Sequence, residues 1–382
     1  MDPLPTPSED AQAASRELCA RITETIAAAG GWIPFSRYQE LALYEQGLGY
    51  YAGGSRKFGA EGDFVTAPEL TPLFGFALAR QVAQVTAASS PVVIEAGAGS
   101  GRLAADLLRG LDAIGAAPER YLILELSGEL RARQRDTIAR EAPQLASRVE
   151  WLDAMPETFS GCIVANELLD AMPVQVLTWR DKGLMERGIS LDEEGNFVWA
   201  ERPADARLQA LAAELPVSAP YVSEVAPIAS AWVAEWGRRL ERGAMILIDY
   251  GLPRHEYYHP QRSGGTLRCH YRHRAHDNPF WWPGLSDITT HVEFTAIAEA
   301  AHGAGLNVLG YTTQATFLMN CGIGELLAER QAESADATKA LGAVQVLLAP
   351  GEMGELFKVL ACGRGIDMPL MGFVRGDRLH SL

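Results

Sequence analysis

Short apolar runs and amphipathic helical stretches alternate along the chain between residues 91 and 251. The first run, VVIEAG (92–97), ends in glycine, and RLAADLLRGL (102–111) follows it with leucines at helical spacing. Four more apolar runs follow: YLILEL (121–126), RVEWLD (148–153), GCIVAN (161–166) and AMILIDYG (244–251). Strands separated by helices are typical of a parallel sheet with helices on both faces.

Two further strand-like runs lie later in the chain, LNVLGYTT (306–313) and ELFKVLACG (355–363), on either side of a helical stretch. A long insertion separates them from the first five strands, and we predict that they close the sheet as an antiparallel pair. GISLDEEGNFVWA (188–200) has the alternation of a β-hairpin, with its turn at Glu194 and Gly195. The pattern therefore predicts an α/β fold with a seven-stranded doubly wound sheet.

The N-terminal part of the chain has a different pattern. Residues 1–18 are rich in Pro, Ser and Ala and predict a loose tail, and residues 19–90 are mostly helical, which predicts an N-terminal helical lid. The predicted organisation is a tail and helical cap (1–90), a sheet domain (91–365) with inserted segments (180–242 and 252–300), and a C-terminal tail (366–382).

Composition narrows the class of protein. With 382 residues, 48% hydrophobic and 21% charged, the chain has the make-up of a packed globular protein. It lacks a run of roughly 20 apolar residues, and its first ten residues have neither a basic start nor an apolar core, so neither a membrane span nor a secretion signal is expected. Five scattered cysteines without a CxxC pair favour reduced thiols and a cytoplasmic location.

Charge argues against two other classes of site. The net charge of −15 does not suit a generic nucleic-acid surface. Six of the eight histidines fall between residues 255 and 291, which raises the alternative of a zinc site. Arginines interleave with these histidines and no second half of a ligand set follows, so no metal is expected. The segment 254–276 is left open as a basic arm or a loop with stacked aromatics.

The strongest local signal is the loop Gly97-Ala98-Gly99-Ser100-Gly101 between the first strand and its helix. Glycines allow a tight turn and close approach to a ligand, and the helix start offers free N–H groups. A dinucleotide fingerprint needs glycine or alanine at the position that Arg102 occupies. The compressed GxGxG form favours a nucleoside ligand without a diphosphate, such as S-adenosyl-L-methionine (SAM), although an ordinary strand-to-helix turn is the alternative.

Acidic residues follow the next two strands. Glu125 ends the second strand, where its carboxylate can accept hydrogen bonds from both ribose hydroxyls. Asp153 ends the third strand and is predicted to reach the adenine amino group. For each residue the alternative is a solvated acid at a strand end.

The fourth strand runs into Asn166-Glu167-Leu168-Leu169-Asp170. We predict that Asn166, Glu167 and Asp170 are catalytic and orient a nitrogen nucleophile, since alignment supplies much of the rate of methyl transfer. The alternative for Asn166 is a helix N-cap. Glu224, Asp249 and His291 are further candidates, each with a structural alternative.

Seven blocks in the same order carry a family resemblance over roughly residues 20–365. They are GDFVTAPELTPLFG (62–75), EAGAGSGRLAADLL (95–108), ANELLDAMPVQ (165–175), LIDYG (247–251), SGGTLRCHYRHRAHDNPF (263–280), DITTHVEF (287–294) and MGELFKVL (353–360). On these blocks the chain resembles the MidA-type family of class I SAM-dependent methyltransferases, which has a mitochondrial member that is an assembly factor of respiratory complex I.

The resemblance implies a Rossmann-like methyltransferase fold that binds SAM, and methylation of a protein arginine, with a complex I subunit as the candidate partner. It places the SAM loop at Gly97, Gly99 and Gly101 and the ribose acid at Glu125. Because family members have a cap over the cofactor before the first strand, Asp63, Phe64 and Thr66 are expected to contact cofactor or acceptor. A non-catalytic SAM-binding assembly factor, a dinucleotide oxidoreductase and a small-molecule methyltransferase are the alternatives.

Overall fold

The computed structural model describes residues 4–53, 66–333 and 337–382. The described residues form two compact units, each built from separate stretches of chain. Unit 1 draws on the stretches Met1–Phe64, Leu169–Ala229 and Leu252–Glu293, and unit 2 on Val65–Leu168, Ser230–Gly251 and Phe294–Leu382. Two chain excursions, one after the fourth strand of the predicted sheet and one after the fifth, therefore belong to unit 1.

The helices and strands of the described residues are as follows. The α-helices are α1 (Glu9–Ala28), α2 (Phe35–Tyr44), α3 (Ala67–Leu70), α4 (Pro72–Ala88), α5 (Arg102–Ala113), α6 (Gly128–Glu141), α7 (Ala206–Ala213), α8 (Pro227–Arg239), α9 (Arg254–Tyr257), α10 (Phe294–Gly303), α11 (Gln314–Asn320), α12 (Ile323–Glu333), α13 (Ala337–Leu348) and α14 (Met353–Leu356). The strands are β1 (Ile33–Pro34), β2 (Val92–Ala96), β3 (Arg120–Leu124), β4 (Val149–Leu152), β5 (Phe159–Asn166), β6 (Gln175–Arg180), β7 (Gly183–Leu191), β8 (Phe197–Pro203), β9 (Tyr221–Val225), β10 (Leu240–Leu252), β11 (Arg268–Tyr271), β12 (Arg274–His276), β13 (Asp287–Thr289), β14 (Val292–Glu293), β15 (Asn307–Thr313) and β16 (Phe357–Arg364).

The large sheet of unit 2 has the strand order β15-β16-β10-β5-β2-β3-β4. Neighbours from β10 to β4 are parallel, while β16 is antiparallel to both β10 and β15. Strand order reverses at β2, which places the end of β2 and its loop at a topological switch point, where ligands bind in open α/β sheets. The predicted doubly wound sheet with an antiparallel pair is confirmed.

The core of unit 2 explains why the strands of the large sheet have continuous apolar sequences. Buried side chains of α4 and α5, such as Phe74, Leu78, Leu103 and Leu107, pack with the inner strands. Val93 of β2 is fully buried, as expected for a parallel sheet covered on both faces. Packing of this kind holds the ends of β2, β3 and β5 in fixed register, and these ends carry the predicted site residues.

Unit 1 contains the two N-terminal helices and an antiparallel sheet. Its sheet follows the order β1-β7-β6-β9, with β8 paired to β7. The predicted hairpin is confirmed, since Leu191 pairs with Phe197 across the turn. The expectation of a loose tail over residues 1–18 is wrong for much of that stretch, because α1 begins at Glu9, capped by the Ser8 hydroxyl. Leu18 and Ile22 of this helix are buried in the core of unit 1.

Within the described parts of the chain, no helix has the length and apolar character that crossing a membrane requires.

Candidate functional site

The loop that joins β2 to α5 depends on left-handed backbone at three glycines. Gly97, Gly99 and Gly101 have φ angles of 70°, 50° and 81°. Side chains rarely adopt this region, so glycine is required if the chain is to turn this tightly. The Gly97 N–H donates to the Leu124 carbonyl at 3.1 Å, which fixes the loop against the end of β3.

Neighbouring backbone and side chains leave this loop no room for larger residues. A Cβ on Gly101 would lie 2.8 Å from Cα of Gln134 on α6, and a Cβ on Gly97 would lie 2.8 Å from Cδ1 of Leu168. The loop is therefore packed between α6 on one side and the turn after β5 on the other. Arg102, which breaks the dinucleotide fingerprint, is engaged on its own helix by an ion pair with Asp106 at 3.1 Å.

Glu125 follows β3 and is held in a defined orientation beside the glycine loop. Its Oε1 accepts from the Ser127 backbone N–H at 3.0 Å, and its Oε2 accepts from Gln134 Nε2 at 3.1 Å. Burial raises the pKa of this carboxyl, and the hydrogen bonds from Ser127 and Gln134 oppose the shift. The geometry suits a carboxylate that receives ribose hydroxyls.

Gln134 is a residue that sequence reasoning missed. Its side chain is fully buried, and Nε2 donates to both the Gly99 carbonyl at 3.1 Å and Glu125. Its Oε1 accepts from Trp151 Nε1 of β4 at 2.9 Å. One amide thus connects the glycine loop, Glu125 and the neighbouring strand β4. A lone glutamine on an amphipathic helix gives no sequence signal for this role.

The end of β4 differs from the end of β3. The Asp153 side chain is 91% exposed and pairs with Arg131 of α6 at 2.7 Å, so its contact with adenine stays a prediction. Arg131 also donates to the carbonyls of Glu125 and Leu152, and so ties the two strand ends together. Leu126, the residue that follows Glu125 in the chain, is 83% exposed. An apolar side chain so exposed suits the flat face of a nucleoside base, which would remove it from water.

The turn after β5 brings two of the predicted catalytic residues together. Asn166 Nδ2 donates to Glu167 Oε1 at 3.0 Å, and Glu167 has a φ of 51°. Among the described residues the buried Oδ1 atom of Asn166 has no hydrogen-bond donor. A residue with a β-carbon in left-handed backbone is uncommon and is found often at functional sites. This turn lies next to the glycine loop, because Leu168 contacts Gly97.

Asp249 stabilises the same turn from β10. It is almost fully buried, and its Oδ2 accepts from the Leu168 backbone N–H at 3.2 Å. The Glu167 N–H donates to the Ile248 carbonyl at 2.9 Å. The hydrogen bond with Leu168 supports the structural alternative for Asp249, in which its carboxylate orients the neighbouring backbone.

The remaining predicted residues are distributed as follows. Thr66 precedes α3 in unit 2, while Asp63 and Phe64 lie outside the described residues. Asp170 is buried in unit 1, where its backbone carbonyl accepts from the Thr290 N–H at 3.0 Å. The structure therefore brings Asn166, Glu167, the glycine loop and Glu125 together in unit 2.

Two further candidates have structural contacts in unit 1. Glu224 is buried and accepts from the backbone N–H groups of Thr266 and Leu267, at 2.9 and 3.2 Å. Burial raises the pKa of this carboxyl. The backbone N–H of His291 donates to the Thr266 hydroxyl at 3.1 Å. Both residues thus hold the segment around Thr266.

A buried acid beneath the glycine loop makes stability depend on pH. Glu95 of β2 is 2% exposed, and its Oε2 accepts from the Tyr121 hydroxyl at 2.6 Å. Burial raises its pKa from 4.5 to about 7, although the Tyr121 hydrogen bond opposes the shift. A carboxyl whose pKa is raised by folding favours the folded chain at low pH. That contribution is present below pH 4.5 and is lost as pH rises through 7.

We therefore expect Glu95→Gln to remove part of the pH dependence of the free energy of unfolding. From pH 5 to pH 8 the free energy of unfolding of the variant should gain up to about 3 kcal/mol relative to the parent protein, because the amide cannot ionise. Urea unfolding at both pH values measures the difference. An equal offset between variant and parent at both pH values would contradict the assignment.

The residues present fit a SAM-sized ligand. The glycine loop turns at the switch point of the sheet, a partly desolvated carboxylate follows β3, and an exposed leucine lies beside it. The Asn166–Glu167 turn supplies hydrogen-bonding groups at the other side of the loop. The exposed leucine suits the base of SAM, the carboxylate suits its ribose, and the glycine loop suits its amino-acid end.

Comparison with known proteins decides the family. Residues 77–312 match the model of a family described as "putative S-adenosyl-L-methionine-dependent methyltransferase". The chain belongs to this family. The dinucleotide alternative is therefore wrong, in keeping with Arg102 in the loop, and SAM is the cofactor.

Two groups of relatives agree with the family. A crystal structure of a "likely methyl transferase" from Burkholderia thailandensis bound to S-adenosyl-homocysteine is 54% identical over the full length of both chains, with a TM-score of 0.96. The mouse mitochondrial protein arginine methyltransferase NDUFAF7 is 29% identical, covering 91% of this chain and 83% of its own. The Drosophila melanogaster homologue is 27% identical, covering 94% and 88%. The resemblance found from the sequence motifs, and the Rossmann-like methyltransferase fold it implies, are confirmed.

Proposed function

We propose that this SAM-dependent methyltransferase methylates an arginine side chain of a protein, with a respiratory complex I subunit as the candidate substrate. The observation that carries the proposal is the Asn166–Glu167 turn beside the glycine loop. Glu167 presents a carboxylate there, and Asn166 adds a buried carbonyl oxygen that lacks a donor among the described residues. Both groups accept hydrogen bonds, and a guanidinium offers several N–H donors in one plane.

When bound, SAM supplies a methyl group on a positively charged sulfur. The residues of the chain then have three tasks. Glu125, oriented by Gln134, holds the ribose, and the glycine loop allows the close approach of backbone. Glu167 and Asn166 align the acceptor nitrogen and favour its positive charge, with Asp170 proposed as a further acid for the acceptor. The arginine methyltransferase names of the relatives at 29% and 27% identity support this acceptor.

The cofactor part is tested by calorimetric titration of SAM. We expect Glu125→Ala to weaken SAM binding at least tenfold, roughly the loss of a charge-assisted hydrogen bond pair. Glu150→Ala is the matched control, since Glu150 of β4 is an exposed acid paired with Arg120. Equal affinity of the Glu125 variant and the parent protein would remove Glu125 from the site.

The acceptor is tested separately with SAM labelled in the methyl group. The purified chain is incubated with protein extract from cells that lack it, and the labelled protein is hydrolysed to amino acids. Label recovered as methylarginine supports the proposal. Label recovered in another amino acid or only in small molecules overturns it, as does absence of transfer by a chain that binds SAM.

A further inference from the structure

A carboxylate outside the predicted site residues lies against the glycine loop. Glu69 is on α3, and its Oε1 accepts a hydrogen bond from the hydroxyl of Ser100 in the loop. The same hydroxyl oxygen receives the Arg102 backbone N–H at 3.3 Å. The Ser100 side chain therefore joins Glu69 to the start of α5, and the carboxylate keeps a fixed place at the loop.

The surroundings of Glu69 differ from those of the other acids at this edge of the sheet. Glu125 is held by Ser127 and Gln134, and Glu95 is buried against Tyr121. In the described stretches of chain, the Ser100 hydroxyl is the donor to the Glu69 carboxylate. No basic side chain in these stretches forms an ion pair with that carboxylate. Glu69 is half-buried, so the residue is partly desolvated and part of its surface is still accessible.

The chemistry of the cofactor provides a cation for this carboxylate. SAM and S-adenosyl-homocysteine both end in an amino acid, with an α-carboxylate and an α-ammonium group. Backbone N–H groups at a glycine loop suit the carboxylate, whereas the ammonium group requires an acceptor, and carboxylate–ammonium hydrogen bonds are among the strong ones. In the proposed function Glu125 holds the ribose, and Gln134 fixes its carboxylate on the flank of the loop that faces β3.

We propose that Glu69 binds the α-ammonium group at the amino-acid end of the cofactor, with Ser100 as the residue that positions its carboxylate. The proposal concerns the cofactor alone and does not depend on the identity of the methyl acceptor. It also gives a chemical reason for the PEL sequence of the GDFVTAPEL segment (62–70), in which sequence reasoning selected Asp63, Phe64 and Thr66.

A pair of ligands separates this role from a general effect on the loop. S-adenosyl-homocysteine carries the amino-acid end, and 5′-methylthioadenosine has the same base, ribose and sulfur without it. For Glu69→Gln we expect calorimetric affinity for S-adenosyl-homocysteine to fall about tenfold to hundredfold. Affinity for 5′-methylthioadenosine should stay within about twofold of the parent protein. Glu119→Gln, an exposed acid just before β3, is the matched control for the loss of one charge.

Two results would overturn the proposal. One is unchanged affinity of Glu69→Gln for S-adenosyl-homocysteine, and the other is an equal loss for both ligands, which would show damage to the loop as a whole. If Glu69→Gln fails to fold, as judged by its thermal unfolding, Ser100→Ala takes its place. This variant removes the positioning hydroxyl, and a selective loss of about threefold or more for S-adenosyl-homocysteine is expected. If Ser100→Ala changes the affinity for both ligands by the same factor relative to the parent protein, the assignment is contradicted.

Discussion

We expect Gly101→Val to abolish measurable SAM binding, with a loss of affinity of at least a hundredfold. The residue has a φ of 81°, and its Cβ would lie 2.8 Å from the Gln134 backbone. Left-handed backbone at a β-branched residue costs about 1–3 kcal/mol, and the clash adds to this. Gln134 cannot move freely because its amide binds the Gly99 carbonyl, Glu125 and Trp151. Displacement of α6 would therefore move the loop and Glu125 together.

Calorimetric titration with SAM measures this effect, and circular dichroism reports whether the variant is folded. Gly128→Ala is the matched control, because Gly128 begins α6, has ordinary backbone and would carry a Cβ with no heavy atom within 4 Å. We expect this control to bind SAM like the parent protein. A folded Gly101→Val protein with the parent's affinity would show that the cofactor does not use this loop.

Glu167→Gln is expected to lower kcat for arginine methylation at least a hundredfold while the Kd for SAM changes less than about threefold. Removing one preorganised electrostatic contact to the reacting group commonly has an effect of this size. Glutamine keeps the shape of the side chain and its hydrogen bond with Asn166, so the change isolates the negative charge. The loss should appear in kcat because, in the proposed role, the charge acts on the acceptor rather than on the cofactor.

Single-turnover transfer of labelled methyl groups, combined with SAM calorimetry, separates the two effects. Glu157→Gln is the control, since Glu157 is an exposed acid just before β5, at the opposite end of the same strand. Full activity of Glu167→Gln would exclude the proposed role of the carboxylate. A parallel loss of SAM affinity would instead place Glu167 in the cofactor site.

Much of unit 2 could be predicted from the sequence because its strands are buried on both faces. Val93 and Ile123, for example, are fully buried, and such strands give continuous apolar runs between helical periods. The doubly wound sheet, its antiparallel pair and the glycine loop follow from the same pattern. The strands of unit 1 gave a weaker signal, as in β8, which is only partly buried along its length.

Sequence reasoning could select candidate site residues where one residue type has one plausible chemistry at a strand end, and their roles stay predictions. Glycines at left-handed positions and acids after β3 and β5 are of this kind. Gln134 and Glu69 were missed because their partners, Gly99, Trp151 and Ser100, are distant in sequence and meet only through packing. No local periodicity marks a side chain whose function is to connect other residues. Long-range contacts also determine which inserted segments of the chain belong to unit 1.

The position of β16 has a consequence for synthesis of the protein. This strand lies between β10 and β15, although it comes last of the strands in the chain. Until β16 is synthesised, the edges of β10 and β15 that pair with it in the folded sheet carry unpaired backbone groups. A premature stop codon before β16 would leave the same edges of β10 and β15 unpaired, and exposed strand edges promote aggregation. The facing edges of β10 and β15 therefore stay unpaired until β16 is synthesised, and chaperones have access to them during that time.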